Sequence, residues 1–328
     1  MLRHLDVAHD RLGLSTPFRI SRGVKTAADV VTVTIAQGAV SGRGEAVPYP
    51  RYGETIEGTT AAIRAIAPAI AAGLTRAELA GLLPAGAARN AVDCALWDLE
   101  ARLAGTSVAA LAGLPEPVAL PSAITIGLDR PDAMARAAAR HAQVPLLKIK
   151  VDRSDPAAQI AAVRAAAPAP RLIVDPNESW TIDTLEALKP HLAEWRIDLL
   201  EQPLPAGEDS ALAGFDSPVP VCADETLHTA ADLDALTGRY DLVNIKLDKT
   251  GGLTEALTLA KTARAKGFGL MVGCMVCSSL GIAPAMLLGG QAAFVDLDGP
   301  LWLGEDRPGG ATDRNGMLSP PAPGFWGS

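Results

Sequence analysis

Eight short apolar runs, about 25 residues apart, occupy the sequence from residue 121 onward and constrain its fold more than any other feature. Each run is followed by a polar loop and an Ala- or Leu-rich stretch, which is the pattern of a repeated βα unit. The runs span residues 121–126, 146–150, 171–175, 198–201, 219–224, 242–246, 269–273 and 293–298. Eight such units favour an α/β fold, a (β/α)8-type TIM barrel. An open doubly wound sheet is the alternative, but the sequence lacks the glycine-rich fingerprint that would follow its first strand.

The residues before the first run predict a separate α+β domain. An alternating run at 30–35 indicates antiparallel strands, and helical spacing from Ile56 to Ala104 ends at Gly105. A Pro-rich stretch marks a boundary near residue 117, and the Gly- and Pro-rich end of the chain is expected to return to the N-terminal domain. The predicted units are an N-terminal domain at 1–117, the barrel at 118–299 and a C-terminal tail at 300–328.

Composition and charge exclude several classes of protein. Of the 328 residues, 48% are hydrophobic, which is enough for a large core. The net charge is −8 and the sequence has no basic run, which argues against nucleic-acid binding. The apolar stretches are too short to span a membrane and the N-terminus does not resemble a secretory signal, so we expect a cytoplasmic protein. Four cysteines fit a reducing compartment, and we interpret Cys274 and Cys277 as packing residues.

Acidic side chains end three consecutive runs, at Asp175, Glu201 and Asp224. In a parallel barrel these strand ends meet at the functional face, so three carboxylates would lie side by side and repel one another unless a cation neutralises them. Oxygen ligands without His or Cys favour Mg²⁺ or Mn²⁺. Asn177, two residues beyond Asp175, is a candidate for orienting a ligand. The alternative for each acid is a solvated position in a loop.

Lysines end two other runs. Lys148 and Lys150 lie two residues apart on the second run, which puts both on the inward face of a barrel strand, and Lys246 ends the sixth run. A neighbouring ammonium disfavours protonation, so we expect a lysine pKa lowered to roughly 7–8, where the amine acts as a base. Lys246 would face the pair across the barrel mouth, and two bases would then flank one substrate carbon. The alternative is that these lysines only balance the acids.

The motifs at the predicted strand ends form a recognisable set. They are LKIK at 147–150, VDPNESW at 174–180, LEQP at 200–203, CADE at 222–225 and NIKLDKTGG at 244–252. This set resembles the enolase superfamily, muconate-lactonizing-enzyme subgroup, over nearly the whole chain. The resemblance implies that the N-terminal domain is a capping domain that closes over the barrel mouth. The mandelate-racemase branch uses a histidine after the seventh strand, and residues 273–279 contain none.

The eighth run ends in Asp296 and Asp298, which resemble the paired aspartates with which dipeptide epimerases hold a substrate ammonium. Two inward carboxylates would hold an amine at a fixed distance from a metal-bound carboxylate. The likeness is to the bacterial L-Ala-D/L-Glu epimerases of murein peptide metabolism, and it implies Arg22 or Lys25 as the contact for the substrate Glu side chain. We also assign Thr125, on the first run, to substrate binding. The alternatives are an exposed charged turn for Arg22 and Lys25, and an exposed strand end for the aspartates.

The resulting hypothesis is a metal-dependent dipeptide epimerase, an isomerase that inverts the α carbon of the C-terminal residue by two-base 1,1-proton transfer through an enediolate. Lys150 and Lys246 would exchange the roles of base and acid with substrate handedness, while Lys148 helps to neutralise the growing charge. The alternatives are an N-acylamino acid racemase or an o-succinylbenzoate synthase of the same subgroup. The expected partner is a small-molecule dipeptide, with no nucleic acid and no membrane, and we expect a homo-oligomer.

Overall fold

The N-terminal part of the chain is an antiparallel sheet covered by helices. The computed structural model describes residues 2–327, so Met1 and Ser328, the outer ends of the predicted units, lie outside the described residues. The strands are β1 (Arg3–Ile20), β2 (Gly23–Gln37) and β3 (Val40–Ala46), in the order β1-β2-β3. Alternate residues of β2, namely Val31, Val33 and Ile35, are buried on one face. The predicted antiparallel strands are therefore confirmed, and β1 and β2 form a long hairpin that turns at Ser21 and Arg22.

Five helices follow the sheet. They are α1 (Ile56–Ala65), α2 (Ala67–Ala71), α3 (Arg76–Leu82), α4 (Ala87–Ala104) and α5 (Val108–Ala112). Helix α4 lies so close to β3 that a Cβ atom on Gly44 would come within 2.2 Å of the Ala91 carbonyl oxygen. Only glycine permits this approach. Gly105 adopts the left-handed conformation and ends α4 where the sequence predicted.

A short strand, β4 (Leu120–Pro121), leads into the barrel. The barrel strands are β5 (Ile124–Ile126), β6 (Leu146–Lys150), β7 (Arg171–Asp175), β8 (Leu199–Glu201), β9 (Val221–Ala223), β10 (Leu242–Ile245), β11 (Gly269–Gly273) and β12 (Phe294–Asp296). Neighbours in the chain are neighbours in the parallel sheet. The amide of Ala123 donates to the carbonyl of Val295 at 2.8 Å and joins the two edges of the sheet. The predicted barrel is thus confirmed, and all eight apolar runs form its strands.

The helices of the barrel lie outside the strands and bury their apolar faces against them. They are α6 (Pro131–Arg140), α7 (Pro156–Ala166), α8 (Ile182–Glu194), α9 (Leu233–Leu236), α10 (Leu247–Thr250), α11 (Leu253–Ala265), α12 (Ser279–Ile282) and α13 (Met286–Gly289). Inside the sheet, one side chain from each strand, or from the residue just before it, contributes to a buried layer. The layer consists of Ala123, Leu146, Ile173, Leu199, Cys222, Leu242, Met271 and Phe294. This layer fills the lower barrel, so the charged strand ends meet at the opposite rim.

The C-terminal tail contacts the N-terminal sheet. Its strands β13 (Thr312–Arg314) and β14 (Met317–Ser319) form a small sheet with β4. The guanidinium of Arg307 lies 2.8 Å from the Glu45 carboxylate, and the Trp326 indole donates to the Arg43 carbonyl at 2.9 Å. Within residues 2–327, no helix combines the length and the apolar character needed to cross a membrane.

Candidate active site

A cavity of about 370 Å³ lies at the C-terminal ends of the barrel strands, beneath the β1–β2 turn and a 3-10 turn at Pro50–Tyr52. Most of the side chains predicted for the site line this cavity: Arg22, Lys25, Thr125, Lys148, Lys150, Asn177, Lys246, Asp296 and Asp298. Asp175, Glu201 and Asp224 lie beneath them and are at most 1% exposed. The structure therefore brings the predicted residues from both parts of the chain to one place.

Lys148 is at the centre of the charged cluster. Its ammonium lies 2.6 Å from Glu201, 2.7 Å from Asp296 and 3.2 Å from Asp175. Burial alone would lower the pKa of Lys148, but the negative charges of these three carboxylates outweigh it and raise the pKa well above its usual value. The expected lowering of the pKa by a neighbouring ammonium is wrong for Lys148, because three carboxylates lie within 3.2 Å of its own ammonium.

The other two lysines each contact one acid. Lys150 Nζ lies 2.5 Å from Asp175 Oδ2, and Lys246 Nζ lies 2.6 Å from Asp224 Oδ2. Burial opposes the charge on Lys246, yet Asp224 raises the pKa of this lysine well above its usual value. Burial also opposes the charge on Asp175, but Lys150 and Lys148 lower the pKa of this carboxyl to about 2. Lys246 is therefore held as an ammonium group at the cavity floor, where it can donate a proton.

Lys249 is a member of the cluster that the sequence argument missed. This fully buried lysine donates to Asp224 Oδ1 at 2.6 Å and to the Asn244 carbonyl at 3.0 Å. It lies on α10, so the pattern of charged residues at strand ends does not include it. Its position three residues after Lys246, on the same short helical turn, was the available signal.

The donor set around Asp175, Glu201 and Asp224 suits a hard divalent cation. Four oxygen atoms close to these acids are buried without a hydrogen-bond partner: Asn177 Oδ1, Glu201 Oε2, Glu225 Oε2 and Asn244 Oδ1. Of these, Glu201 Oε2 has the Lys148 ammonium 2.6 Å away as an ion-pair partner. Burial and the charge of Asp175 raise the pKa of Glu201 to about 7. Within the described residues, no three acids, cysteines or histidines stand together as a preformed metal-binding group. The Lys148 ammonium lies 3.2 Å from Asp175 and 2.6 Å from Glu201. Buried oxygens that lack donors and an acid that resists ionisation are both satisfied by added positive charge.

Asn177 lies where the sequence predicted a group that orients a ligand. Its backbone amide donates to Asp175 Oδ1 at 2.8 Å and its side-chain amide donates to Asp175 Oδ2 at 3.1 Å. The residue adopts a left-handed backbone with φ of 46°. These two bonds fix the plane of the Asp175 carboxylate.

Asp296 and Asp298 form the acidic wall of the cavity. Asp298 Oδ2 accepts the backbone amide of Thr125 at 2.7 Å, while Asp296 Oδ1 is buried without a hydrogen-bond partner. Burial and the charge of Asp296 raise the pKa of Asp298 to about 7. Two neighbouring carboxylates in this state favour a bound cation, such as an ammonium, since it would lower the energy of both charges.

The two basic candidates of the N-terminal domain have different environments. Arg22 lies 2.7 Å from Glu225 and 3.1 Å from Glu178, so two carboxylates already neutralise it. Lys25 Nζ lies 4.9 Å from the centre of the Tyr49 ring and, within residues 2–327, forms no ion pair. Glu178 and Glu225 were also missed by the sequence argument, although Glu225 is adjacent to Asp224. Lys25 is therefore the cation that remains available to an anionic group in the cavity.

An α+β domain that covers the mouth of a (β/α)8 barrel, over acids and lysines at the strand ends, defines a class of barrel enzymes. Residues 3–113 match the family described as "Mandelate racemase / muconate lactonizing enzyme, N-terminal domain", and residues 132–325 match "Enolase C-terminal domain-like". The chain belongs to the enolase superfamily, in the mandelate racemase and muconate lactonizing enzyme family.

Proteins of similar sequence include an epimerase and a racemase. The chain is 49% identical to the L-Ala-D/L-Glu epimerase of Escherichia coli (strain K12) over 307 residues, which cover 93% of this chain and 96% of the relative. It is 46% identical to an N-acetyl-D-glutamate racemase of Pseudoalteromonas sp over 300 residues, which cover 91% of this chain and 95% of the relative.

Solved structures of dipeptide epimerases are also similar. An enolase family member from Agrobacterium tumefaciens with homology to dipeptide epimerases, crystallised with sodium and L-Ala-L-Glu, has a TM-score of 0.97 and 52% identity, covering 99% of this chain and 100% of the other. A dipeptide epimerase from Enterococcus faecalis V583, complexed with Mg and L-Leu-L-Tyr, has a TM-score of 0.91 and 28% identity, covering 98% of both chains.

Proposed function

We propose that this protein is a metal-dependent dipeptide epimerase that inverts the α carbon of the Glu residue in L-Ala-D/L-Glu. The observation that carries the proposal is the charge pattern of one cavity: acids and lysines at its floor, and the Asp296 and Asp298 pair on one wall. Lys25 faces this cavity from the covering domain and forms no ion pair within residues 2–327. This pattern is complementary to a molecule with a carboxylate, an ammonium and an acidic side chain. The similarity to an L-Ala-D/L-Glu epimerase supports the same substrate.

The proton transfer is assigned to Lys150 and Lys246. Lys150 ends β6 and Lys246 follows β10, four strands further around the ring of eight, so their amines enter the cavity from opposite sides. In each direction, the lysine on the side of the α proton acts as the base after losing its own proton, and the other donates from its ammonium. Lys148 holds positive charge beside Asp175 and Glu201, close to where the substrate carboxylate gains charge.

Asp175, Glu201 and Asp224 would hold Mg²⁺, which supplies positive charge to stabilise the anion that forms when the α proton leaves. Asn177 fixes the Asp175 carboxylate, and Lys249 fixes Asp224. The magnesium in related dipeptide epimerase structures supports this choice of ion.

Recognition of the dipeptide is divided between the two parts of the chain. Asp296 and Asp298 would bind the substrate ammonium, with Thr125 holding Asp298 in place through its backbone amide. We assign the substrate Glu carboxylate to Lys25, because Arg22 already has Glu225 and Glu178 as partners. Arg22 then holds the β1–β2 turn against the barrel.

A second candidate function is racemisation of an N-acylated amino acid. The similarity to an N-acetyl-D-glutamate racemase favours it, and the same lysines and acids would perform the proton transfer. The acidic wall distinguishes the two, because an N-acyl group offers no ammonium to Asp296 and Asp298. An o-succinylbenzoate synthase would likewise leave this pair of carboxylates without a cationic partner.

One assay tests these alternatives. The protein is incubated in heavy water with L-Ala-L-Glu, N-acetyl-L-Ala-L-Glu or N-acetyl-L-Glu, with and without a chelator, and deuterium at the α carbon is followed by NMR. The proposal expects rapid uptake into L-Ala-L-Glu only, formation of L-Ala-D-Glu, and loss of both with chelator. Uptake that is fastest with N-acetyl-L-Glu would replace the proposal with the racemase.

The domain boundaries, the cellular compartment and the oligomeric state of the enzyme are also proposals. We propose that the domain boundaries fall near residues 117 and 299, and that the enzyme acts in the cytoplasm. Four free cysteines are compatible with a reducing compartment. Assembly as a homo-oligomer stays a prediction, and light scattering of the purified protein measures it.

A further inference from the structure

The turn that follows β7 has an unusual backbone. Asn177 and Glu178 adopt left-handed conformations with φ of 46° and 67°. Asn tolerates this region through local hydrogen bonds, but for Glu it costs conformational energy that surrounding contacts must offset. The amide of Glu178 donates to the Gln202 carbonyl at 2.9 Å, and this bond ties the turn to the segment that follows β8. The turn therefore holds the Glu178 side chain in one direction.

That direction is toward the two segments that cover the cavity. We call these the lid segments: residues 21–25 at the β1–β2 turn, and residues 49–54. Arg51, in the second segment, donates to both oxygens of the Glu178 carboxylate, at 2.8 and 2.7 Å. Arg22, in the first segment, donates to Glu178 Oε2 at 3.1 Å. The Glu178 side chain is only 7% exposed, whereas that of Arg51 is 39% exposed.

One carboxylate of the barrel thus joins both lid segments. Its Oε1 also accepts the amide of Ala206 at 2.8 Å, so its position is fixed from the barrel side as well. Arg22 has a second acidic partner in Glu225, but Arg51 has no other ion pair within residues 2–327. Segment 49–54 therefore depends on Glu178 for its charged contact with the barrel.

We propose that Glu178 is a positioning residue, which fastens both lid segments over the cavity and so places Lys25 and Tyr49 against the substrate. It does not touch the reacting atoms. Because the two-pronged contact with Arg51 requires both oxygens at the right reach, the contact is geometric as well as electrostatic. Weakening this contact would make closure of the lid segments less favourable. The affinity for substrate would then fall, while the rate of proton transfer in the closed state would not change.

The test uses substitutions that preserve charge, so that the attraction of an acidic dipeptide to the site is unchanged. Glu178→Asp keeps the carboxylate but shortens it, and Arg51→Lys keeps the cation but removes the planar fork. Each should raise KM for L-Ala-L-Glu about tenfold and leave kcat within about twofold of the wild-type value. The reason is that each loses a charge-assisted hydrogen bond that forms when the lid segments close. The double variant should be no worse than the more affected single variant.

Trypsin gives a second readout that does not depend on the proposed function. It cuts after Arg22, Lys25 and Arg51 when the lid segments open, and these sites are retained or replaced by lysine in every variant. Cleavage there should be several-fold faster in Glu178→Asp and in Arg51→Lys than in the wild type. Arg11→Lys is the control, because Arg11 also contacts a carboxylate, donating from Nη1 to both oxygens of Asp29 on the same sheet, outside the lid segments. It should leave both readouts unchanged.

The KM readout rests on the proposed function, but the cleavage readout does not. If wild-type protein epimerises no dipeptide, the proposed function fails and cleavage alone decides the role of Glu178. If cleavage and KM in Glu178→Asp and Arg51→Lys equal those of wild type, or if kcat falls while KM is unchanged, the inference is wrong. Should Glu178→Asp fail to fold, Arg51→Lys tests the same contact from the exposed side.

Discussion

Lys150 and Lys246 are the residues on which the proton transfer depends, and methionine replaces each with a side chain that has no proton to transfer. Lys150→Met or Lys246→Met should lower epimerisation of L-Ala-L-Glu at least about 10³-fold, because one side of the α carbon loses its acid or base. The remaining lysine should still exchange the α proton of one stereoisomer with heavy water, as measured by NMR with L-Ala-L-Glu and L-Ala-D-Glu. Lys261→Met, at an exposed position outside the cavity, is the control. Full activity in either variant contradicts the two-base scheme.

A substitution of Asp298 tests whether this single residue recognises the substrate ammonium. Asp298→Asn keeps an oxygen to accept the Thr125 amide but removes the negative charge. We expect KM for L-Ala-L-Glu to rise about 10- to 100-fold, since a hydrogen bond to a charged group contributes about 1.5–3 kcal/mol. Magnesium affinity, measured by calorimetry, should change little because Asp298 is not among the assigned ligands. Unchanged kinetics would favour a substrate without an amine.

Secondary structure elements were the part of this protein that the sequence predicted best. The strands β6, β7 and β11 have the bounds of the apolar runs: β6 ends at Lys150, β7 at Asp175 and β11 at Gly273. The sequence did not predict contacts between side chains that lie far apart in the chain or on elements of different periodicity. Glu178 and Arg51 are 127 residues apart, and Lys249 reaches Asp224 from a helical turn that has a different period from the strands.

The packing of α4 against β3 gives a prediction at the scale of elements. Gly44→Ala would place a methyl group 2.2 Å from the Ala91 carbonyl oxygen, so the helix or the strand must move. We expect a loss of about 1–3 kcal/mol or more in the free energy of unfolding, measured by urea denaturation. Gly81→Ala is the control, because Gly81 lies in α3 with open space around it and alanine favours a helix. A stable Gly44→Ala variant would mean that α4 and β3 adjust freely.

At the scale of the whole molecule, buried carboxylates join the N-terminal domain to the barrel. Asp248, two residues after Lys246, accepts the Val47 amide at 2.9 Å and the Asn90 side-chain amide at 2.8 Å, both from the N-terminal domain. In the reverse arrangement, the acid belongs to the N-terminal domain and the donor to the barrel: Asp93 accepts the Thr254 amide at 2.9 Å. The segment that carries Lys246 is therefore held by the domain that also carries the lid segments, so domain docking and catalytic geometry are coupled.

Asp248 makes this docking depend on pH. Burial raises its pKa from 3.8 to about 7, so between these values the unfolded chain gives up the proton while the folded protein retains it. Its contribution to stability is therefore fully present below about pH 4 and is lost as the pH rises toward 7, by up to about 4 kcal/mol. Asp248→Asn removes this titration, so its free energy of unfolding relative to wild type should increase from pH 4.5 to pH 7.5 in urea titrations with chelator present.

Asp132→Asn is the control: Arg136 and Arg130 lower the pKa of this exposed acid below 3.8, so its titration ends before that range begins. A difference between Asp248→Asn and wild type that does not change with pH would mean that Asp248 is ionised in the folded protein throughout, and that Asn90 and Val47 alone offset its burial.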